Sequence, residues 1–277
     1  MDSNGNVYSQ FGEDLIAQNI LKRINKEKDS NFWVCEFGAW DGLHLSNTAN
    51  LIVNHGYKAV LIEADRKKFN ELKYNMSSFP VICINEFIDL SGEKTLDNVL
   101  SNTQIPLNFD FLSIDIDGAD YWVLKSLKKY RPKVIVIEYN PTIPTSIDFI
   151  NQPNIGVNEG SSIRSLALLA KEMNYDICGI TTCNLILVDS KYHDLFEDLN
   201  IELNDLKNPD YVLEIWQTFD GKIHISKVGS MLWHDVAISN KKIQVIPKLL
   251  RKFPANYSIP QKVLFLIWKF LCKVRIQ

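Results

Sequence analysis

Five stretches of this 277-residue sequence run from apolar residues into carboxylates or amides. Glu36 and Asp41 follow the first, Glu63 and Asp65 the second, and Asn85 and Glu86 the third; Asp115 and Asp117 follow the fourth, and Glu138 and Asn140 the fifth. Groups of this kind brought to one place can do three kinds of chemistry. Two neighbouring carboxylates raise one another's pKa, so Asp115 with Asp117 is a candidate general base. Asp115 or Asp117 with Glu138 and Asn140 makes an all-oxygen set suited to Mg2+, although Tyr139 interrupts the last pair and Asn140-Pro141 could simply turn the chain. A ring of acids also favours a cationic ligand over an anionic one. His44 and His234 are further candidates for a base, because imidazole titrates near neutrality; a lone histidine is more often structural.

These groups need elements to carry them. The runs from Phe32 to the acid Glu36, Tyr57–Asp65, Pro80–Asn85, Asn108–Asp115 and Pro132–Glu138 are each nearly continuously apolar up to their polar ends and alternate with helical segments. That order predicts an α/β fold whose parallel sheet is covered on both faces. Helices are expected from Leu15, capped by Ser9 or Asp14; over Leu45–His55, closed by Gly56; over Lys67–Asn75; from Asp120 to Lys129; and over Ile163–Met173. The first of these could lie as a lid over a ligand or simply pack on the sheet. Tyr175–Ile180 and Asn184–Val188 flank a tight Thr181-Thr182-Cys183 turn and are expected as antiparallel strands. Ligands of open α/β sheets bind beyond the carboxyl ends of the strands, so the five polar ends point to one shared site. Thr142 to Ser162 is rich in Asn, Pro, Gly and Ser, too long for a plain connection, and is expected on the substrate side. One domain is expected over residues 1–235, followed by a tail over 236–277.

The loop after the first strand, Glu36-Phe37-Gly38-Ala39-Trp40-Asp41-Gly42, narrows the ligand. A dinucleotide loop of the form G-x-G-x-x-G needs its second glycine where the pyrophosphate approaches. Trp40 stands there instead. S-adenosylmethionine brings no phosphate, and acids suit its ammonium and sulfonium charges, so it ranks ahead of a nicotinamide cofactor. Glu63 suits a grip on ribose hydroxyls under either reading.

Composition sets the outer bounds. Hydrophobic residues make up 46% and charged residues 23%, as in an ordinary globular chain. The five cysteines Cys35, Cys83, Cys178, Cys183 and Cys272 show no C-x-x-C pair and read as reduced thiols in a cytoplasmic protein. Met1–Asn6 lacks the features of a signal peptide, and no apolar run is long enough to span a membrane. Nine Lys or Arg and no Asp or Glu lie between Val236 and Gln277, so that segment carries +9 and the rest −12 within a net charge of −3. An acidic body argues against a nucleic-acid partner.

Three motifs now support a family resemblance. Glu36–Gly42, Leu61-Ile62-Glu63-Ala64-Asp65 and Phe111-Leu112-Ser113-Ile114-Asp115-Ile116-Asp117-Gly118-Ala119-Asp120 resemble class I S-adenosylmethionine-dependent methyltransferases, most closely the FkbM-like group. Ser9-Gln10-Phe11-Gly12-Glu13-Asp14 and Ile137-Glu138-Tyr139-Asn140-Pro141 are similar to that group as well. The resemblance covers about Tyr8 to Val188. It implies a Rossmann-like three-layer fold with a mostly parallel seven-stranded sheet. It further implies that Glu36, Gly38, Asp41 and Gly42 contact the methionine part of the cofactor, Glu63 the ribose, and the stretch from Asn85 and Glu86 to Ile88 the adenine edge, with Ala39, Asp65 and Asp115 also in the cofactor-binding set. Many members O-methylate sugars or polyketide-type hydroxyls, which points to a glycan or small-molecule acceptor, with Mg2+ as an optional second cofactor. The rivals are a nicotinamide-dependent oxidoreductase on the same sheet and a non-catalytic module that binds a glycan or a partner.

In the tail, Lys262, Lys269 and Lys273 share one helical face, with Phe265, Trp268 and Leu271 facing away from them. A basic amphipathic helix of this kind fits peripheral contact with the inner membrane surface, and equally packing on the domain or on a second copy in an oligomer.

Overall fold

A computed structural model describes residues 8–154, 156–226 and 229–274. Met1–Asn6, read above for a leader, lies outside them. The chain groups into two compact units, Met1–Asp210 and Tyr211–Gln277.

The first unit is built on strands β1 (Trp33–Phe37), β2 (Lys58–Ile62), β3 (Val81–Ile84), β4 (Phe111–Ile114), β5 (Val134–Glu138), β6 (Tyr175–Ile180) and β7 (Asn184–Asp189). They form one seven-stranded sheet in the order β3-β2-β1-β4-β5-β7-β6. The first five are parallel, and β7 runs antiparallel to both neighbours. This is the mostly parallel, Rossmann-like sheet that the sequence predicts. Alternate residues of each strand enter opposite layers: Cys35, Phe37, Val60 and Ile62 join one apolar cluster, Val34, Ala59 and Leu61 the other. The second cluster is completed by helices α1 (Glu13–Lys26), α2 (Ala49–Val53) and α3 (Arg66–Asn75), the first by α4 (Leu96–Ser101), α5 (Asp120–Ser126) and α6 (Ile163–Glu172). Strand order reverses between β1 and β4, which sets the ligand crevice at their carboxyl ends.

The opposite end is pinned by a buried ion pair. Lys133, 1% exposed, donates to Asp110 Oδ1 at 2.7 Å, and Asp110 also accepts the backbone N–H groups of Asn31 and Phe32.

Several expectations change. Helix α1 opens at Glu13 with Gly12 as its N-cap and no side-chain cap, not with Ser9 or Asp14, and α5 ends at Ser126 rather than Lys129. The helix expected over Leu45–His55 shrinks to Ala49–Val53, because Ser46, Asn47 and Thr48 are drawn away to the carboxylate of Glu36. The boundary expected after residue 235 falls inside the second unit, between β10 (Gly229–Met231) and β11 (Val236–Ile238), which pair with Met231 opposite Val236. That unit also holds the hairpin β8 (Ile215–Gln217) and β9 (Ile223–Ile225), and the helix α7 (Ile259–Val274).

Candidate functional site

The loop leaving β1 bends on Gly38, whose φ is +85°. A Cβ there would lie 1.9 Å from the carbonyl oxygen of Asp115, so only glycine lets the loop press onto the end of β4. Gly42 (φ +79°) serves packing instead, since a Cβ would meet Leu72 of α3 and Met76, the residue that caps it, at 2.7 and 2.8 Å. The amides of the loop are used internally. Gly38 and buried Ala39 donate to the carbonyl of Ile62, Trp40 to Glu63 Oε2 at 2.8 Å, Gly42 to Ala39, and Leu43 and His44 to Asp41 Oδ1 at 2.9 and 2.7 Å. A phosphate-binding loop must aim such groups at its ligand. Here six of them are committed to the protein.

The acids of β1 and β2 hold this loop in place. Glu36, almost wholly buried, accepts from Ser46 Oγ (2.6 Å), Thr48 Oγ1 (2.6 Å) and the Asn47 amide (2.9 Å). Burial raises its pKa and those hydrogen bonds oppose the rise. Glu63 joins two loops, one oxygen on the Trp40 amide and the other on the Asp65 amide at 2.7 Å. Asp65 is the N-cap of α3, accepting from the amides of Lys67 and Lys68, which lower its pKa. Asn85 ties β3 to the same turn through the carbonyls of Glu63 and Ala64 and accepts from Arg66. Glu86 pairs with Lys94 at 2.8 Å on the surface. The residues expected to contact a cofactor thus stand at or just beyond the carboxyl ends of β1, β2 and β3, with the side chains of Glu36, Asp65 and Glu86 occupied by protein partners.

The centre of the crevice is acidic. Asp115, Asp117 and Glu138 each bring a carboxylate oxygen to within 4.8 Å of the others. Asp117 stands at the exposed rim with φ +58°, on a turn held by Asp120, whose carboxylate accepts the amides of Ile116 and Gly118 at 3.0 Å. Burial, followed by the charges of Asp120, Asp117, Glu36 and Glu13, pushes Asp115 up to about 8. Burial and the charges of Asp115, Asp120 and Asp117 push Glu138 up to about 10. Such a set keeps protons at neutral pH that isolated carboxyls would lose.

Asn140, expected with this set, is engaged in the following loop. Its amide donates to the Glu159 carbonyl at 2.8 Å, and its oxygen accepts from both the amide and the hydroxyl of Thr142. His44 is exposed, and its ring meets Trp40 edge-on at 5.2 Å; Lys68 Nζ sits 4.0 Å over that indole. His234 belongs to the second unit. The 142–162 loop is held over the β4 turn: Gly118 has no room for a Cβ beneath the Val157 carbonyl, and Trp122 Nε1 donates to the Asn151 carbonyl at 2.8 Å. It presents Ile147, Phe149 and Ile150 to solvent.

One residue of the site was not singled out from the sequence. Glu13 is fully buried, accepts from Thr181 Oγ1 (2.5 Å) and Asn184 Nδ2 (3.1 Å), and contributes to the field at Asp115. A few residues earlier, Ser9 bridges to Leu45 beyond the glycine loop. The available signal was an acid directly after Gly12, at the start of an apolar helix.

Residues 92–177, from before α4 into β6, match the family described as "Methyltransferase FkbM domain". That span includes Asp115, Asp117 and Glu138; the glycine loop and Glu63 precede it. No curated protein matches the chain. Among solved structures, a putative caffeoyl-CoA O-methyltransferase from Staphylococcus aureus is 14% identical, covering 67% of this chain and 86% of its own at a TM-score of 0.41. An O-methyltransferase from Bacillus cereus, in complex with S-adenosylhomocysteine, is 17% identical over 67% and 85% at 0.41. A SAM-dependent methyltransferase from Aquifex aeolicus is 13% identical over 64% and 97% at 0.34.

Proposed function

We propose that this chain, with its match to the FkbM methyltransferase domain over residues 92–177, transfers a methyl group from S-adenosylmethionine to a hydroxyl of a saccharide or another small acceptor. One observation carries the reading: a cluster of carboxylates adjoins a glycine loop whose amides are already hydrogen-bonded within the protein. A pyrophosphate would find neither free donors nor a tolerable field there, which weighs against a nicotinamide cofactor. A sulfonium and an ammonium would find charge complementarity. Gly38 gives the close backbone approach, and Glu63, at the end of β2, has acceptor capacity for ribose hydroxyls beyond its two amide partners.

When bound, S-adenosylmethionine supplies an activated methyl on sulfur and a neutral thioether as leaving group. The chain's task is to hold the hydroxyl in line and take its proton. Asp115, its carboxyl raised to about 8 and flanked by Asp117, is suited to that task once ionised, a form that a bound sulfonium favours and that grows as pH rises toward that value. The proton ends on the carboxylate as the new O–CH3 bond forms. The 142–162 loop, with its exposed Ile147, Phe149 and Ile150, is the acceptor-side wall, and the FkbM resemblance favours a sugar there. Mg2+ held by Asp115, Asp117 and Glu138 is the competing use of the same oxygens. A reducing, cytoplasmic setting is supported by five free thiols, three of them buried.

Thermal shift with S-adenosylhomocysteine, with and without Mg2+ and against NAD, tests this. Ligand at 100 times its dissociation constant should add about 2.7 kcal/mol of stability. No shift with S-adenosylhomocysteine, or a larger one with NAD, refutes the cofactor; a shift that needs Mg2+ assigns the carboxylates to the metal.

A further inference from the structure

The second unit is basic and the first acidic. Residues 211–277 hold eleven Lys or Arg against three Asp or Glu, a formal +8. Its last helix, α7, is apolar apart from Gln261, Lys262, Lys269 and Lys273, and the Lys273 side chain lies outside the described set. The half-buried side of α7 carries Phe265, Trp268 and Cys272. The Phe265 ring lies 5.5 Å from that of Tyr257 and 6.0 Å from that of Trp268, and Gln261 Nε2 donates to the Leu249 carbonyl. At about 100° per residue the opposite arc carries Val263, Leu266, Ile267, Phe270 and Leu271. Each of these is between 53% and 68% exposed. Lys262 and Lys269, both exposed, run along one border of the arc.

An apolar arc of this width on a helix is ordinarily its buried face. Contiguous apolar surface left in water marks a binding surface. We propose that α7 is an in-plane anchor that lays this arc into an anionic phospholipid surface, its lysines at headgroup level. Charge selects this occupant. From Val236 onward the chain has nine Lys or Arg and no acid, so packing this segment against its counterpart in a second copy would set +9 against +9, whereas an anionic leaflet attracts each lysine. Length selects the orientation. Sixteen residues reach about 24 Å, short of a hydrocarbon core of about 30 Å, and among the described residues no helix is long and apolar enough to cross a membrane. The aromatic pair Phe265 and Trp268 is engaged within its own unit, so the lipid-facing set differs from the one the helical pattern suggests: Leu271 stays, and Val263, Leu266, Ile267 and Phe270 replace the two aromatics.

Flotation of the full chain with vesicles tests the anchor. Vesicles of phosphatidylcholine containing about a third phosphatidylglycerol should carry the protein, and pure phosphatidylcholine should not. Lys262→Glu with Lys269→Glu should weaken flotation at least about tenfold, as should raising salt from about 0.1 M to about 1 M. Leu266→Glu with Phe270→Glu, at exposed positions, should abolish flotation and leave the far-ultraviolet circular dichroism unchanged. Equal binding to neutral vesicles, or none to anionic ones, overturns the proposal. So does a dimer in light scattering that Leu266→Glu with Phe270→Glu dissolves, if the wild type fails to float. None of these readouts depends on methyl transfer.

Discussion

Replacing Glu138 by Gln should stabilise the protein, and increasingly so as pH rises. Its carboxyl ordinarily titrates at 4.5 and is pushed up to about 10 by burial and by the charges of Asp115, Asp120 and Asp117. A raised carboxyl binds its proton more tightly in the fold than in the unfolded chain. Its contribution is therefore fully present below about 4.5 and is lost progressively as pH climbs through about 10. Each pH unit in that window is worth at most about 1.36 kcal/mol, so between pH 5 and pH 8 the ceiling is about 4 kcal/mol. Asp115 shares the burden and water reaches the rim at Asp117, so we expect about 2 kcal/mol. Glutamine keeps the shape without the charge and should recover that amount at pH 8 and little at pH 5. For a chain of this size about 2 kcal/mol corresponds to a Tm gain of about 4–8 °C. Paired melting curves of wild type and Glu138→Gln across pH 5–9 read it directly. A variant that melts below wild type at pH 8, or whose difference from wild type is flat with pH, refutes the claim that the carboxylates crowd one another.

Two further expectations concern the frame around the site. Both glycines have left-handed backbones; Gly38→Ala also meets the fixed backbone carbonyl of Asp115 and should cost about 3–5 kcal/mol, whereas Gly42→Ala, facing the movable ends of Leu72 and Met76, should cost about 2–3. Urea midpoints of the two variants should rank in that order. Lys133→Met leaves the fully buried Asp110 without its cation and should cost about 3–5 kcal/mol, measured as a lower urea midpoint with an unchanged slope.

Much of this architecture was legible because its signals are local. Strands such as Val134–Glu138 are unbroken β-branched runs that end in an acid, and the sixth and seventh strands are separated by a turn of three residues. What escaped depends on partners distant in sequence. Ser46–Thr48 fit a helical pattern, yet Glu36, ten residues earlier, takes their donors and shortens α2. Glu36 lies near the end of β1, and Asp65 and Glu86 follow β2 and β3, but composition cannot say whether a carboxylate there faces a ligand or its own backbone. Glu13 acts through Thr181 and Asn184, about 170 residues away, with no periodicity to reveal it. The three-residue strands β8–β11 are too short for any alternation to register.

The strand order also has a consequence for synthesis. β1 lies between β2, which follows it closely, and β4, which begins 74 residues after Phe37. At about 5–20 residues per second the nascent chain waits about 4–15 s with one edge of β1 unpaired. That edge is Val34-Cys35-Glu36-Phe37, an apolar template for pairing with another chain. Soluble yield should therefore depend on elongation speed and chaperone supply over residues 38–111 more than on the stability of the finished fold.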